Sequence, residues 1–168
     1  MTSLRHLNSP APPIARESFD EFFRQEYPRA VKLAWLLTRS ESAAEDVAQD
    51  AMLGVHRRFG ELDSPSAYLT SVVVNRCRRW HRSGASQLRL LHSLSSNAER
   101  HVDTIDAADE YVLDAIAALP FRQRVVIIAR YWGDWSEVEI ATSLHCRPGT
   151  VKSLASRALA RLRTELPR

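Results

Sequence analysis

The sequence predicts an all-α fold of two small helical domains joined by a flexible linker, and three observations carry that expectation. Apolar residues recur every three or four positions through most of residues 18–82 and 109–163, the period of helices with one buried face. Ser stands three residues before Glu at Ser42–Glu45 and again at Ser136–Glu139, a pairing in which each side chain can satisfy the other's free backbone N–H at a helix start. Between the periodic halves, residues 84–108 show only a short apolar piece, Leu88 to Leu94, and read as a linker.

Taken in order, residues 1–16 hold three of the eight prolines without periodicity and read as a disordered tail. From Ser18, Phe19, Phe22, Phe23, Tyr27, Val31, Ala34, Trp35 and Leu37 form a broad apolar helical face, with a bend expected near Pro28. The Ser42–Glu45 box opens a second helix through about Phe59, with Val47, Ala51, Met52 and Val55 inward. Its first turns carry Glu45, Asp46, Gln49 and Asp50. Carboxylates there complement the positive end of the helix dipole, and they also form a patch on which a partner can dock.

Ser64 and Pro65 suit the start of a third helix running to about Arg82. Tyr68, Leu69, Val72 and Val73 are core-like, whereas Asn75, Arg76, Arg78, Arg79, Trp80, His81 and Arg82 are not. Arginines interleaved with an aromatic ring suit phosphate contact and base stacking. A solvated helix C-terminus also tolerates such cations. In the second half, Val112, Leu113, Ile116 and Leu119 make one helical face, Pro120 ends it, and Val125, Val126, Ile128 and Ala129 make another.

Trp135 to Arg163 then reads as two helices around a tight turn. Ser136 caps the first, whose expected apolar face is Val138, Ile140, Ala141 and Leu144; His145 to Arg147 make the turn, and Pro148 opens the second. Val151, Ala155, Ala158 and Leu162 fall on one stripe of that second helix. Arg147, Thr150, Lys152, Ser153, Ser156, Arg157 and Arg161 lie at its start and off that stripe, and such groups donate to phosphates and base edges. A helix roughly 20 Å long, at about 1.5 Å per residue, fits the major groove. The same pattern would also serve a solvated basic surface helix.

Charge is laid out in blocks. The total is +3, but residues 17–62 and 101–144 are net acidic while 63–100 and 145–168 are net basic. Two separate contacts with a polyanion are expected, with acidic surfaces left for a basic partner. No stretch has the apolar length to cross a bilayer, so no stable membrane insertion is expected, and the chain reads as cytoplasmic. Cys77 and Cys146 form neither a disulfide framework nor a CxxC pair and read as free thiols. Cys77 and His81 share a helical face, yet two ligands fall short of a zinc site; a packed thiol beside a DNA-facing imidazole is the simpler reading. No Gly-rich phosphate loop or nucleophile–base–orienter constellation is present, so neither enzyme nor cofactor is expected.

The segment LPFRQRVVIIARYWGDWSEVEIATSLHCRPGTVKSLASRALARLR resembles region 4 of bacterial extracytoplasmic-function (ECF) sigma factors of the sigma-70 family, of the SigE-like actinobacterial group. Its GTVKS and SRALARLR pieces carry most of the likeness. SAAEDVAQDAMLGVHRRF and SPSAYLTSVVVNRCRRWHR resemble the parts of region 2 that dock on RNA polymerase and that melt and read the −10 element. The resemblance implies a region 2 domain at 17–83, a region 4 domain at 109–168, and as partners core RNA polymerase and promoter DNA, with an anti-sigma factor left open. It also implies residue roles. Glu45, Asp46, Gln49 and Asp50 would contact polymerase. Asn75 would lie near a flipped −10 base, and Arg76, Arg78, Arg79, Trp80 and Arg82 would hold the −10 DNA. Arg147, Thr150, Lys152, Ser153, Ser156, Arg157 and Arg161 would face the −35 groove and its phosphates.

Departures from the family pattern are Asp50 for Glu, Met52 for Phe, His145 at a turn position usually held by Gly, and Arg147 for a Ser cap. Positive φ is expected at His145, a residue type that tolerates it better than most. The alternative reading is a stand-alone helix-turn-helix regulator. It accounts for residues 135–163, but not for the basic end of the third helix or the acidic patch.

Overall fold

A computed structural model describes residues 18–83 and 107–165; the expected tail and nearly all of the expected linker lie outside them. Among the described residues seven α-helices and one short 3-10 turn follow in order. They are α1 (Phe19–Thr38), α2 (Glu41–Arg58), the turn Phe59–Glu61, α3 (Pro65–Arg82), α4 (Ala107–Ala117), α5 (Phe121–Tyr131), α6 (Glu137–Ser143) and α7 (Pro148–Glu165). Helices α1 to α3 form one lobe and α4 to α7 another.

The first lobe begins at a capping box that the sequence reading passed over. Ser18 Oγ accepts from the Glu21 N–H at 3.3 Å while the Glu21 carboxylate accepts from the Ser18 N–H at 3.2 Å. Helix α1 then runs through Pro28, which is exposed, so its missing N–H lies toward water. The expected Ser42–Glu45 box is not formed. Helix α2 starts at Glu41, and Ser40 is the cap, its Oγ accepting from the Ala43 N–H at 3.4 Å. Arg39 in the left-handed region at φ 55° turns the chain sharply, which advances the start of α2 and puts Ser42 beyond capping reach.

Phe22, Leu37, Val55, Val73, Val74 and Cys77 fill the centre of this lobe. Ala34, Ala44, Ala48 and Ala51 are buried too, and their small side chains let the helices approach closely. Phe19, Phe22 and Phe59 close one end with ring centroids 5.3 to 6.3 Å apart. Met52 and Val47 are buried as expected.

In the second lobe, Leu113, Ile116, Val125, Val126 and Ile128 pack under the helix pair α6–α7. Between α5 and α6 the chain passes so close to itself that a Cβ on Gly133 would meet the Trp135 indole nitrogen at 2.5 Å and the Ala129 carbonyl at 2.9 Å. The capping box of α6 is present: Ser136 Oγ accepts from the Glu139 N–H at 3.3 Å, and the Glu139 carboxylate accepts from Ser136 N–H and Oγ–H, both at 2.7 Å. Those bonds hold the Glu139 carboxyl below its ordinary range. One expected core position is corrected. Val138 is 65% exposed, because the buried face of this seven-residue helix is set by Ile140, Ala141 and Leu144.

The two lobes share one continuous apolar core: α1 meets α4 and α5, and α3 meets α6. Replacing Ser40 by Ala is expected to cost about 1 kcal/mol of unfolding free energy, the usual worth of an N-cap, while Ser42→Ala stays within a few tenths. Urea unfolding followed by circular dichroism compares them, and equal losses would restore Ser42 as the cap. Gly133→Ala is expected to lower the melting temperature, since either the Trp135 indole or the backbone beside Ala129 must move.

Candidate nucleic-acid interface

Helix α7 presents its two faces as its sequence divides them. Val151, Ala155, Ala158 and Leu162 are buried, joined by Leu154, and they fasten the helix to its own lobe. Thr150, Lys152, Ser153, Ser156, Arg157 and Arg161 are all exposed, as is Arg147 just before the helix. Lys152 Nζ stands 3.8 Å from the Glu137 carboxylate, an exposed pair worth little in water and easily exchanged for a phosphate. His145 sits at φ 50°, as expected, and its strain-tolerant turn sets the angle between α6 and α7. The result is a polar, cationic helix surface about 27 Å long at about 1.5 Å per residue.

On α2, Glu45, Asp46, Gln49 and Asp50 are all exposed along one face. Asp50 is engaged: its Oδ2 accepts from Arg76 Nη1 of α3 at 2.6 Å. An expected docking carboxylate and an expected −10 cation are thus each other's partner, and the pair ties the acidic face of α2 to the basic face of α3.

At the end of α3, Arg79 and Arg82 are exposed, whereas Asn75, Arg76, Arg78 and Trp80 are half-buried. Trp80 stands edge-on to His81 with ring centroids 4.9 Å apart, and its Nε1 is buried without a hydrogen-bond partner among the described residues. Asn75 Nδ2 lies 3.4 Å from His145 Nε2 in the turn of the other lobe. The surface is basic and aromatic as expected, and Asn75 at its edge lies against the turn after α6.

His81, expected as an imidazole facing DNA, instead faces the other lobe. Its Nε2 is 2.8 Å from the Leu37 carbonyl, and its ring packs on Phe121 with centroids 5.3 Å apart. Burial lowers its pKa, the Leu37 bond opposes that, and the nearby Arg124 charge adds to it. Arg124 was missed altogether. Only 8% exposed, it donates from Nη1 to the Leu37 carbonyl at 2.6 Å and from Nη2 to the carbonyls of Ala117 and, at 3.2 Å, Leu119. Burial pulls its pKa down to about 10, so it stays charged at neutral pH. Arg39 completes the seam, with Nη2 3.2 Å from Asp114 of α4 and its guanidinium 4.4 Å over the Trp35 ring. A signal for Arg124 was present, for it falls three after Phe121 and four before Ile128, inside the buried face of α5.

Comparison with known proteins bears on both lobes. The model of Sigma-70 region 2 matches residues 22–87, and that of Sigma-70, region 4 matches residues 109–162. The ECF RNA polymerase sigma factor SigM of Mycobacterium tuberculosis is 34% identical over 94% of this chain and 85% of its own. The RNA polymerase sigma-E factor of Streptomyces coelicolor is 30% identical over 88% of this chain and 85% of its own. Among solved structures, the sigma factor RpoE of Bartonella quintana, in complex with the anti-sigma factor NepR, superposes with a TM-score of 0.69 at 22% identity, covering 87% of this chain and 94% of that one.

The two thiols differ in a way the geometry makes measurable. Cys77 is fully buried, and burial pushes its pKa up to about 12, whereas Cys146 is half-buried in the turn before α7. In native protein near neutral pH, a thiol-specific reagent such as Ellman's is expected to modify Cys146 alone, with Cys77 reacting only on unfolding. Two thiols titrating at equal rates in the native state would contradict that arrangement.

Proposed function

The chain is an extracytoplasmic-function sigma factor of the sigma-70 family, a promoter-recognising subunit of RNA polymerase, and from that premise we propose how its parts divide the work. Residues 17–83 act as region 2 and residues 109–168 as region 4. Helix α7 lies in the major groove of the −35 duplex, with Arg147, Thr150, Lys152, Ser153, Ser156, Arg157 and Arg161 supplying phosphate and base-edge contacts. Exposure of these side chains opposite a buried apolar stripe is the observation that carries this reading.

Unstacked −10 bases are taken up at the basic end of α3. Asn75 reads a base, Trp80 offers a stacking surface, and Arg76, Arg78, Arg79 and Arg82 neutralise the strand's phosphates. Stacking and charge neutralisation offset part of the cost of unpairing. Glu45, Asp46, Gln49 and Asp50 form the polymerase-docking face, with Asp50 also steadying Arg76. Bond making stays with the polymerase, and this subunit contributes binding energy and position in the cytoplasm, at the nucleoid. By likeness to the Bartonella complex, an anti-sigma factor is a further proposed partner.

Run-off transcription with core polymerase of a related GC-rich bacterium, at a stated salt concentration, tests the whole reading. New start sites preceded by shared −35 and −10 elements are expected, and specific duplex binding by the isolated protein without them would favour the stand-alone regulator instead. Arg157→Ala is expected to reduce −35-dependent transcription about tenfold, the effect of losing one good groove contact, with core-polymerase binding unchanged. Charge reversal at Glu45 and Asp46 is expected to do the opposite, weakening polymerase binding measured by fluorescence anisotropy. Unaltered affinity there would remove the docking role from α2.

A further inference from the structure

The outward side of α1 and α2 carries an apolar surface that promoter reading leaves unused. Among the described residues of the first lobe, Phe23 and Leu53 are the large apolar side chains that stand exposed, at 39% and 55%. On α2, Leu53 follows Gln49 by four residues, Asp50 by three and Asp46 by seven. At 3.6 residues per turn all four share one stripe, so Leu53 stands in line with the acidic face rather than apart from it. His56 and Arg57 come three and four residues later and close the stripe with an imidazole and a guanidinium, both exposed.

Helix α1 brings a second row beside it. Phe19, Phe23 and Tyr27 recur every four residues, and Phe23 stacks on Tyr27 with ring centroids 4.9 Å apart and planes 13° from parallel. The Phe19 ring meets the His56 ring edge-on at 4.6 Å and the Phe23 ring at 6.1 Å, which joins the aromatic row of α1 to the stripe of α2. Phe22 and Val55, buried on the same two helices, already fill the core, so Phe23 and Leu53 are surplus to it. One exposed apolar side chain alone would call for no partner. Here an aromatic stack and a leucine border a row of carboxylates, the mixture of anchor and charge found where proteins meet.

We propose that Leu53, with the Phe23–Tyr27 stack beside it, is the apolar anchor of the polymerase-docking face. It meets a basic surface of core RNA polymerase that bears an apolar side chain about 10 Å from its cations, the rise of seven helical residues from Asp46 to Leu53. Charge complementarity selects that partner. Glu45 and Asp46 draw cations to the start of the stripe and Arg57 repels them from its end, so the two surfaces meet in one direction. The carboxylates guide encounter and weaken as salt screens them, whereas the apolar contact is not screened. This inference rests on the assignment of α2 as the docking face and adds to it the part that is not electrostatic.

Fluorescence anisotropy of the full chain with core polymerase of a related GC-rich bacterium, at about 0.1 M and about 0.5 M salt, separates the two contributions, since the screening length falls from about 10 Å to about 4 Å over that range. Leu53→Gln is expected to weaken binding about tenfold at both salts, the change from losing one leucine-sized contact at an interface. Charge reversal at Glu45 and Asp46 is expected to weaken it more at the lower salt than at the higher. Should Leu53→Gln lose helix content by circular dichroism, Phe23→Gln takes its place with the same expectation. Unchanged affinity in the deciding variant overturns the proposal, as does a loss confined to the lower salt, and the docking reading then survives if charge reversal still weakens binding. Charge reversal without effect at either salt, beside a tenfold loss in Leu53→Gln, would instead remove the carboxylates from docking and leave the apolar anchor in place.

Discussion

A single buried cation sits where two helices end. The carbonyls at the C-termini of α1 and α4 have no onward partners within their helices, and neither helix carries a basic residue in its last turn. Arg124 answers both ends with a planar guanidinium whose nitrogens can donate in several directions at once. Among the described residues no carboxylate lies in its hydrogen-bonding shell, and the dipoles of two helices stand in for one. Because one of those helices belongs to the first lobe and the other to the second, the same charge that completes α4 also decides how the lobes meet. Removing it would leave buried carbonyls without donors, a heavier loss than the bond alone.

Around that joint, the reading surfaces are built by ordinary division of labour on helices. Small buried residues let α1 and α2 close up, and a stripe of Val151, Ala155, Ala158 and Leu162 seats α7 on its lobe. Helix α7 thereby turns a largely polar face outward. The turn at His145 and the capping box at Ser136 fix where α6 begins and how α7 leaves it, so the position of the cationic face follows from local backbone chemistry. The Asp50–Arg76 pair performs a similar service in the first lobe, joining the acidic face of α2 to the basic face of α3.

The two basic surfaces differ in their surroundings. The cations of α7 are exposed, whereas Asn75 of α3 lies 3.4 Å from His145 in the second lobe. An aromatic, basic surface attracts nucleic acid without regard to sequence.

The helical class and the two faces of α7 were legible in sequence alone, because a period of 3.6 residues and the preference of charges for water act locally. The box at Ser136 was legible for the same reason, whereas the positive φ at His145 was implied by the family resemblance, in which Gly usually holds that turn position. Tertiary structure decided what depends on neighbours distant in the chain. The sharp reversal at Arg39 shifted the cap of α2 from Ser42 to Ser40, and Val138 faced outward because a seven-residue helix has room for only one buried stripe. Above all, the destinations of Asp50, His81 and Arg124 were set by partners 26, 44 and 87 residues away. A hydrogen bond between lobes leaves no period in the sequence, only a charge standing in a buried face.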